Sequence, residues 1–405
     1  MKYIEGGVCA AKGFRASGIH VGVKTNNTDK KDLALIAADC ECAAAAVYTR
    51  NVVKAAPILA TKQHLKSGRA RAIIANSGNA NACAPHGLDH ALRMCRAAAA
   101  ALGLDESDVI AASTGVIGQE LPIDVIENGA ARLVSGLSRD GSKDAAAAIM
   151  TTDLAMKECA VELEISGKPV KIGGIAKGSG MIHPNMGTML AFLTTDCAIS
   201  PEMIQKMLAD AANVSFNRIS VDGDTSTNDT LALLASGMAG NIEVTGPGAD
   251  YDAFFEALNA LCVELAKMIA SDGEGATHLI ICRVKGAKDE QEAVTLSKSV
   301  ISSTLTKAAI FGADANWGRV LCAMGYSGVE FDPDSVSIAF ESGAGRVVVC
   351  ENGRGLQFDE KTAKKILSEH DITIDIIMRA GEAECVCWGC DITYDYIKIN
   401  GDYRT

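Results

Sequence analysis

One stretch of the chain sets an alcohol at an unusual joint. It runs Lys177-Gly-Ser-Gly-Met-Ile-His-Pro-Asn-Met-Gly187-Thr188-Met-Leu-Ala-Phe-Leu-Thr-Thr-Asp196. Glycine and proline crowd its first half and a nearly unbroken apolar run fills the second, so the Thr188 hydroxyl stands at the mouth of a buried strand. The plainer reading is the first residue of that strand, where β-branched residues are common. The chemical reading is a nucleophile that makes its own N-terminus. Thr188 Oγ attacks the carbonyl carbon of Gly187, the acyl group shifts from N to O, and water hydrolyses the ester, leaving a new chain that begins at Thr188. Gly187 lacks a Cβ and tolerates the strained conformation that exposes its carbonyl. The stiff χ1 of threonine holds Oγ in one attacking rotamer. The freed α-amine, with a pKa near ~7.7–8.0 in model peptides, is a general base at neutral pH that needs no histidine.

A second turn stands out at Ser113-Thr114-Gly115-Val116-Ile117-Gly118, after the apolar run Asp108–Ala112 and before a helical pattern. A Thr-Gly turn between strand and helix tends to present backbone N–H groups outward, although an ordinary connection reads the same way. Other signals carry less. Cys385, Cys387 and Cys390 form a C-x-C-x-x-C without the second pair that structural zinc sites use, and they read as packing; no metal is expected. His183, before Pro184, reads as a loop residue. The glycines of Gly173–Gly180 lack P-loop spacing, so no nucleotide cofactor is expected.

These residues need a scaffold. Ala72–Ala75 and Asp108–Ala112 read as strands, and Leu88–Leu104 and Leu121–Leu137 as helices, with Pro122 suited to a first turn. Val161–Ile172 reads as a hairpin turning at Ser166-Gly167-Lys168-Pro169, and Thr188–Thr195 as the strand after the nucleophile. Helices are expected at Pro201–Ala212, Tyr251–Ala270, Asp289–Thr306 and Asp359–His370, and strands at LIICRV, Val336–Phe340 and Val347–Cys350. The alanine runs 43–46 and 97–101 read as pieces of helix. No period of 20–50 residues repeats. The alternation predicts an α/β (mixed α+β) fold, a layered sandwich of sheets and helices with a second, smaller C-terminal α/β domain and a boundary near residues 275–285.

Composition narrows the partners. The 405 residues are 48% hydrophobic and 22% charged, and 50 acidic against 38 basic side chains give a formal charge of −12, which argues against nucleic acid or an anionic membrane as partner. A site for an anionic substrate must therefore be built from local cations, backbone N–H groups or helix N-termini. No apolar run reaches the ~18 residues of a membrane span, and MKYIEGGVCAAKGF has no signal-peptide core. The 14 cysteines, mostly single and in apolar context, fit free thiols of a cytoplasmic protein.

Taken together, KGSGMIHPNMGTMLAFLTTD, ANSGNANA (75–82), STGVIG (113–118), SVDGDTSTND (220–229), DGEGATH (272–278), FGADANWGR (311–319) and WGCDITYDYIKIN near the C-terminus resemble, in order and over nearly the whole chain, the ornithine acetyltransferase (glutamate N-acetyltransferase) family of arginine biosynthesis. The resemblance implies self-cleavage between Gly187 and Thr188 into an α chain, 1–187, and a β chain, 188–405. Within the latter, 188–280 would complete the nucleophile domain and 281–405 form the second. It implies that Thr188 takes the acetyl group of N2-acetyl-L-ornithine and passes it to L-glutamate, with Thr114 and Gly115 as the oxyanion hole. Thr151, Lys177, Thr188, Glu274, Asn400 and Thr405 would bind substrate, Lys177 facing a carboxylate and Glu274 the cationic ornithine side chain. Taken alone, Lys177 reads rather as a solvated loop cation and Glu274 as a surface or helix-end acid. The family's TTDT-x-PK segment is TTDLAMK here, which leaves Thr151 and Thr152 as alternatives, and the family often has Ala where Gly187 stands. Asn400 and Thr405 can serve only if the C-terminal tail docks over the site. The resemblance also implies an α2β2 assembly and no cofactor, and leaves open whether acetyl-CoA is a second donor. An N-terminal-nucleophile amidase, with water as acceptor, and an uncleaved amino-acid-binding protein are the competing readings.

Overall fold

The computed structural model describes residues 1–24, 29–183 and 189–401. Among them lie two mixed sheets, each flanked by helices, giving the expected mixed α/β architecture. The first sheet has nine strands. Eight follow the order Lys2–Ile4, Lys157–Ile165, Lys168–Lys177, Leu190–Thr195, Thr230–Ala235, Leu33–Tyr48, Arg69–Asn79 and Val109–Val116, and Phe14–Ile19 pairs with the first half of Leu33–Tyr48.

Leu190–Thr195 lies at the centre, antiparallel to Lys168–Lys177 and parallel to Thr230–Ala235. Its six residues are all buried because both faces are covered. Ala191 and Leu193 point into a core shared with the helices Pro201–Val214 and Ala249–Ser271. Leu190 and Phe192 point into the opposite core, with the helix Ser142–Ile149. A strand buried on both sides has no polar face, hence the unbroken apolar run in sequence. Replacing Phe192 by Ala would cost roughly 3–5 kcal/mol.

The second sheet takes most of its strands from the last third of the chain: Arg354–Gly355, Gly345–Glu351, Ser337–Ser342, Asp371–Ile377, Leu279–Ala287 and Ala383–Cys390 in that order. Its seventh strand is Ile219–Ser220, paired in parallel with Trp388 and Gly389, so a segment well before residue 279 contributes one edge. Cys282, Cys385 and Cys387 fill its core beside Ile374 and Phe340.

Local departures from the sequence reading have physical causes. Ala43–Ala46 is strand, not helix: Ala43 and Ala45 face one core and Ala44 and Ala46 the other, and their small volume lets covering elements approach both sides. The expected helix 289–306 is two helices, Glu290–Ser302 and Thr304–Phe311. Between them Ser303 takes an extended ψ of 113° and its side chain caps the second by accepting from the Thr306 N–H. Pro122 precedes the helix Ile123–Ser135, and the helix begun at Glu360 ends at Ile366. The hairpin is longer than expected, Lys157–Lys177, and turns on Ser166 and Gly167 alone, both at positive φ. Among the described residues no helix is long and apolar enough to cross a membrane.

Candidate active site

The parallel register sets Leu190 opposite Thr230, so Met189 and Asp229, which precede these two central strands, lie at one end of the sheet. A cavity of about 140 Å³ opens there. Its walls include Thr114, Gly115, Thr151, Thr152, Lys177, Glu274 and Asn400, together with Met189, Leu190 and Asp229. Six of the expected site residues, far apart in sequence, thus share one cavity. Gly187, Thr188 and Thr405 lie outside the described residues.

Thr114 and Gly115 sit at the end of Val109–Val116, where its parallel pairing with Arg69–Asn79 becomes irregular. Gly115 has φ 134°, and a Cβ there would lie 2.5 Å from the Asn79 nitrogen, so only glycine lets the two backbones come this close. Side-chain amides fix the turn. Asn228 Nδ2 donates to Ala80 O at 2.6 Å and to Ser113 O at 2.8 Å, and Ser113 Oγ donates to Asn76 Oδ1 at 2.6 Å.

Lys177 ends its strand buried, with only 7% of its surface exposed, which removes the solvated-loop reading. Its Nζ donates to Thr151 Oγ1 at 2.8 Å and lies 3.5 Å from Thr114 Oγ1. Both Thr151 and Thr152 line the cavity, and Thr151 is the one bonded to Lys177. Beneath stands Asp153, fully buried. It accepts from Lys157 Nζ at 2.8 Å, Gly178 N–H at 2.7 Å and Thr151 N–H at 3.0 Å, with Lys177 Nζ at 3.8 Å. Burial alone would raise the Asp153 carboxyl, but the charges of Lys177 and Lys157, with the hydrogen bonds from Lys157 and the Thr151 N–H, outweigh it and hold the group well below the usual carboxylate range. Burial pushes the Lys177 ammonium below its ordinary value, with Asp153 pulling it back.

Glu274 closes the other side and is buried rather than a surface acid. Its backbone N–H donates to Ser179 O at 2.9 Å, and a Cβ on Gly180 would collide with its carboxylate. Asn400 Nδ2 donates to Glu274 Oε2 at 2.8 Å. Asn400 belongs to the helix Tyr394–Gly401, which is anchored by Thr393 Oγ1 donating to Gly275 O at 2.6 Å. The C-terminal segment is therefore docked on the cavity as far as it is described.

Asp229 was given no role by the sequence reading. It is 1% exposed, lines the cavity beside Lys177, and its Oδ2 has no hydrogen-bond partner. Burial raises its carboxyl well above the ordinary value, and the Thr49 hydroxyl, the Met189 N–H and the Ser226 hydroxyl offset that only in part. A signal existed in the sequence: Thr227-Asn228-Asp229 precedes an apolar strand just as Gly187-Thr188 does. His183 lies elsewhere. Its Nδ1 is 3.0 Å from Ser220 Oγ, and burial, with Lys298 nearby, lowers it to about 4, so the ring is neutral and structural. Cys385 and Cys387 pack in the second core with their sulfurs 3.8 Å apart.

Comparison with known proteins places the chain in a family. A sequence-family model, the ArgJ family, matches residues 15–405. The arginine biosynthesis bifunctional protein ArgJ of Symbiobacterium thermophilum is 50% identical over 406 residues, covering 100% of both chains. Among solved structures, arginine biosynthesis bifunctional protein ArgJ from Bacillus halodurans has a TM-score of 0.51 at 45% identity, covering 53% of this chain and 100% of its own. Ornithine acetyltransferase complexed with ornithine, from Mycobacterium tuberculosis, has a TM-score of 0.43 at 40% identity, covering 46% of this chain and 98% of its own.

Proposed function

This chain belongs to the ArgJ family of arginine biosynthesis enzymes, and on that premise we propose that it moves the acetyl group of N2-acetyl-L-ornithine to L-glutamate through an acetyl-Thr188 enzyme. Cleavage between Gly187 and Thr188 comes first. Thr188 Oγ adds to the Gly187 carbonyl carbon, the C–N bond breaks as the ester forms and frees the Thr188 α-amine, and water hydrolyses the ester to a Gly187 carboxylate and the Thr188 hydroxyl. That amine then takes the hydroxyl proton as Oγ attacks the acetyl carbon of N-acetylornithine, and returns it to the departing ornithine nitrogen. The α-amine of glutamate attacks the acetyl ester in turn, N-acetylglutamate leaves, and Thr188 regains its proton.

The observation that carries this reading is the convergence of Thr114, Gly115, Thr151, Lys177, Glu274 and Asn400 on one cavity whose wall continues into Met189 and Leu190. Each has work in the scheme. Thr114 and Gly115 stabilise the tetrahedral oxyanion of both half-reactions, a contribution on the order of 10²–10³ in kcat per donor. Lys177, the one cation among the described lining residues, attracts a carboxylate into a chain whose overall charge repels it. Glu274 opposes it with a negative charge for the ornithine ammonium, so an amino acid charged at both ends is held in one orientation. A hydrolase would need neither clamp.

Self-cleavage has separate support. The Bacillus halodurans chain is matched over its whole length by 53% of this sequence, close to the share that 188–405 makes up. The two chains remain together as α2β2 in the cytoplasm in this proposal, which light scattering tests. The function is tested by incubating the purified protein with N-acetylornithine alone and mapping the product. An added acetyl group on the peptide starting at Thr188, discharged on adding glutamate, is expected. No acetylation of that peptide, with transfer intact, would reject the scheme. The same experiment with acetyl-CoA reads out a second donor.

A further inference from the structure

Away from the cavity, one side-chain cluster among the described residues brings three metal-ligating atoms together: a nitrogen each from His86 and His90 and a carboxylate oxygen of Glu120, all within 4.8 Å of one another. His86 and His90 flank the first turn of the helix Gly87–Leu102, four residues apart and therefore on one face. Glu120 comes from the loop after Val109–Val116. Its Oε1 lies 2.7 Å from His86 Nδ1 and 3.6 Å from His90 Nδ1. Four-coordinate zinc with ligands at about 2.0–2.1 Å sets its ligand atoms roughly 3.4 Å apart. The two separations bracket that value, so small side-chain rotations would admit an ion.

An independent observation points to a ligand here. His90 is 8% exposed, and its Nδ1 is buried without a hydrogen-bond partner. A buried ring nitrogen left unpaired is destabilising, and coordination removes that cost. The third ligand is held in place as well: Asn79 Nδ2 donates to Glu120 O at 3.1 Å and to Gln119 O at 3.3 Å, fixing the loop backbone under the carboxylate. Such outer support is what oriented ligands require.

We propose that His86, His90 and Glu120 form a binding site for a divalent transition ion, with zinc the best match, which clamps the start of the helix Gly87–Leu102 to the loop after Gly115. Two imidazoles and one carboxylate select a borderline-soft ion over magnesium or calcium, and water completes the coordination. The clamp is independent of the acetyl-transfer reading. Ile117, on the same loop, lines the cavity, so an ion at Glu120 would brace the turn that carries Thr114 and Gly115.

The probe is zinc alone, titrated calorimetrically into chelator-stripped, full-length protein. Cys83, an exposed thiol three residues before His86, is the competing ligand, and Cys83→Ser serves as its control. One zinc per chain is expected in the wild type and in Cys83→Ser, with a zinc-dependent rise in Tm. Because outer-shell changes alone cost about 10–100-fold in affinity, Glu120→Gln and His90→Ala, checked for folding by circular dichroism, should each lose at least on the order of 100-fold. Absence of binding, equal affinity in wild type, Glu120→Gln and His90→Ala, or loss in Cys83→Ser would overturn the assignment.

Discussion

Asn400 Nδ2 stands 2.8 Å from Glu274 Oε2, joining the last described helix to a carboxylate 126 residues earlier in sequence. The bond orients an acid that would otherwise be buried with one fewer donor, and it makes the C-terminal segment part of the cavity wall. Asn400→Ala should therefore act on binding. A hydrogen bond to a charged group is worth about 1.5–3 kcal/mol, so KM for N-acetylornithine should rise roughly 10–100-fold with kcat much less affected. Steady-state kinetics checks this. An unchanged KM would remove Asn400 from the site.

Lys177→Met keeps the apolar stem and removes the charge. KM should rise for both substrates, because each carries a carboxylate. The variant also leaves Asp153 with Lys157 as its single close cation. Asp153 has a depressed carboxyl in the folded protein, so its stabilisation is present above the ordinary carboxylate value of about 3.9 and is lost as pH falls below it. In Lys177→Met the carboxyl moves back up toward that value. Denaturant unfolding across the acid range should accordingly show a flatter loss of stability than in the wild type.

Asp229 titrates with the opposite sign. Its carboxyl is raised on folding, so the folded state holds a proton that the unfolded state has lost, and stability falls as pH rises from about 3.9 toward the raised value. Asp229→Asn keeps the shape and an acceptor for the Met189 N–H, and it should abolish that fall. At pH 7 the variant should be as stable as the wild type or more so. Activity should nevertheless drop, with an altered pH profile, because the cavity loses a group able to exchange a proton. A variant with wild-type activity at all pH values would limit Asp229 to a structural part.

Gly115→Ala places a Cβ against the Gly78–Asn79 backbone at a φ of 134°. Strain of about 1–3 kcal/mol is expected, appearing as a lower Tm. The turn can relieve it only by moving its N–H, so kcat should fall much more than KM changes. Equal kcat in a folded Gly115→Ala would place the oxyanion donors elsewhere.

Much of this was legible in the sequence where local chemistry and tertiary demand agree. The apolar run after Thr188 reads as a strand because the sheet is covered on both faces, and the same logic applies to Ala72–Ala75. Ala43–Ala46 went the other way: alanine's helix preference yields to a place between two covered faces, which no local pattern reveals. Lys177, Glu274 and Asn400 were named from a resemblance, but their burial and the Asp153 network under Lys177 depend on chain segments far apart in sequence. Asp229 escaped because its importance lies in register. It precedes Thr230, and only the pairing of Thr230 with Leu190 sets it beside the site. The His86, His90 and Glu120 cluster was hidden for a similar reason: its third member comes 30 residues after His90, in a loop beyond the helix Gly87–Leu102.

The central chemical claim is that the chain cuts itself to create its own catalytic amine. Intact mass and N-terminal sequencing of active, as-isolated protein test it directly. Self-cleavage predicts two fragments, 1–187 and 188–405, the second starting Thr-Met-Leu-Ala, with Thr188→Ala left whole and inactive and Thr188→Ser cut and slower. A single active species of 42.1 kDa with only the first N-terminus, or near-normal transfer by Thr188→Ala, would contradict it.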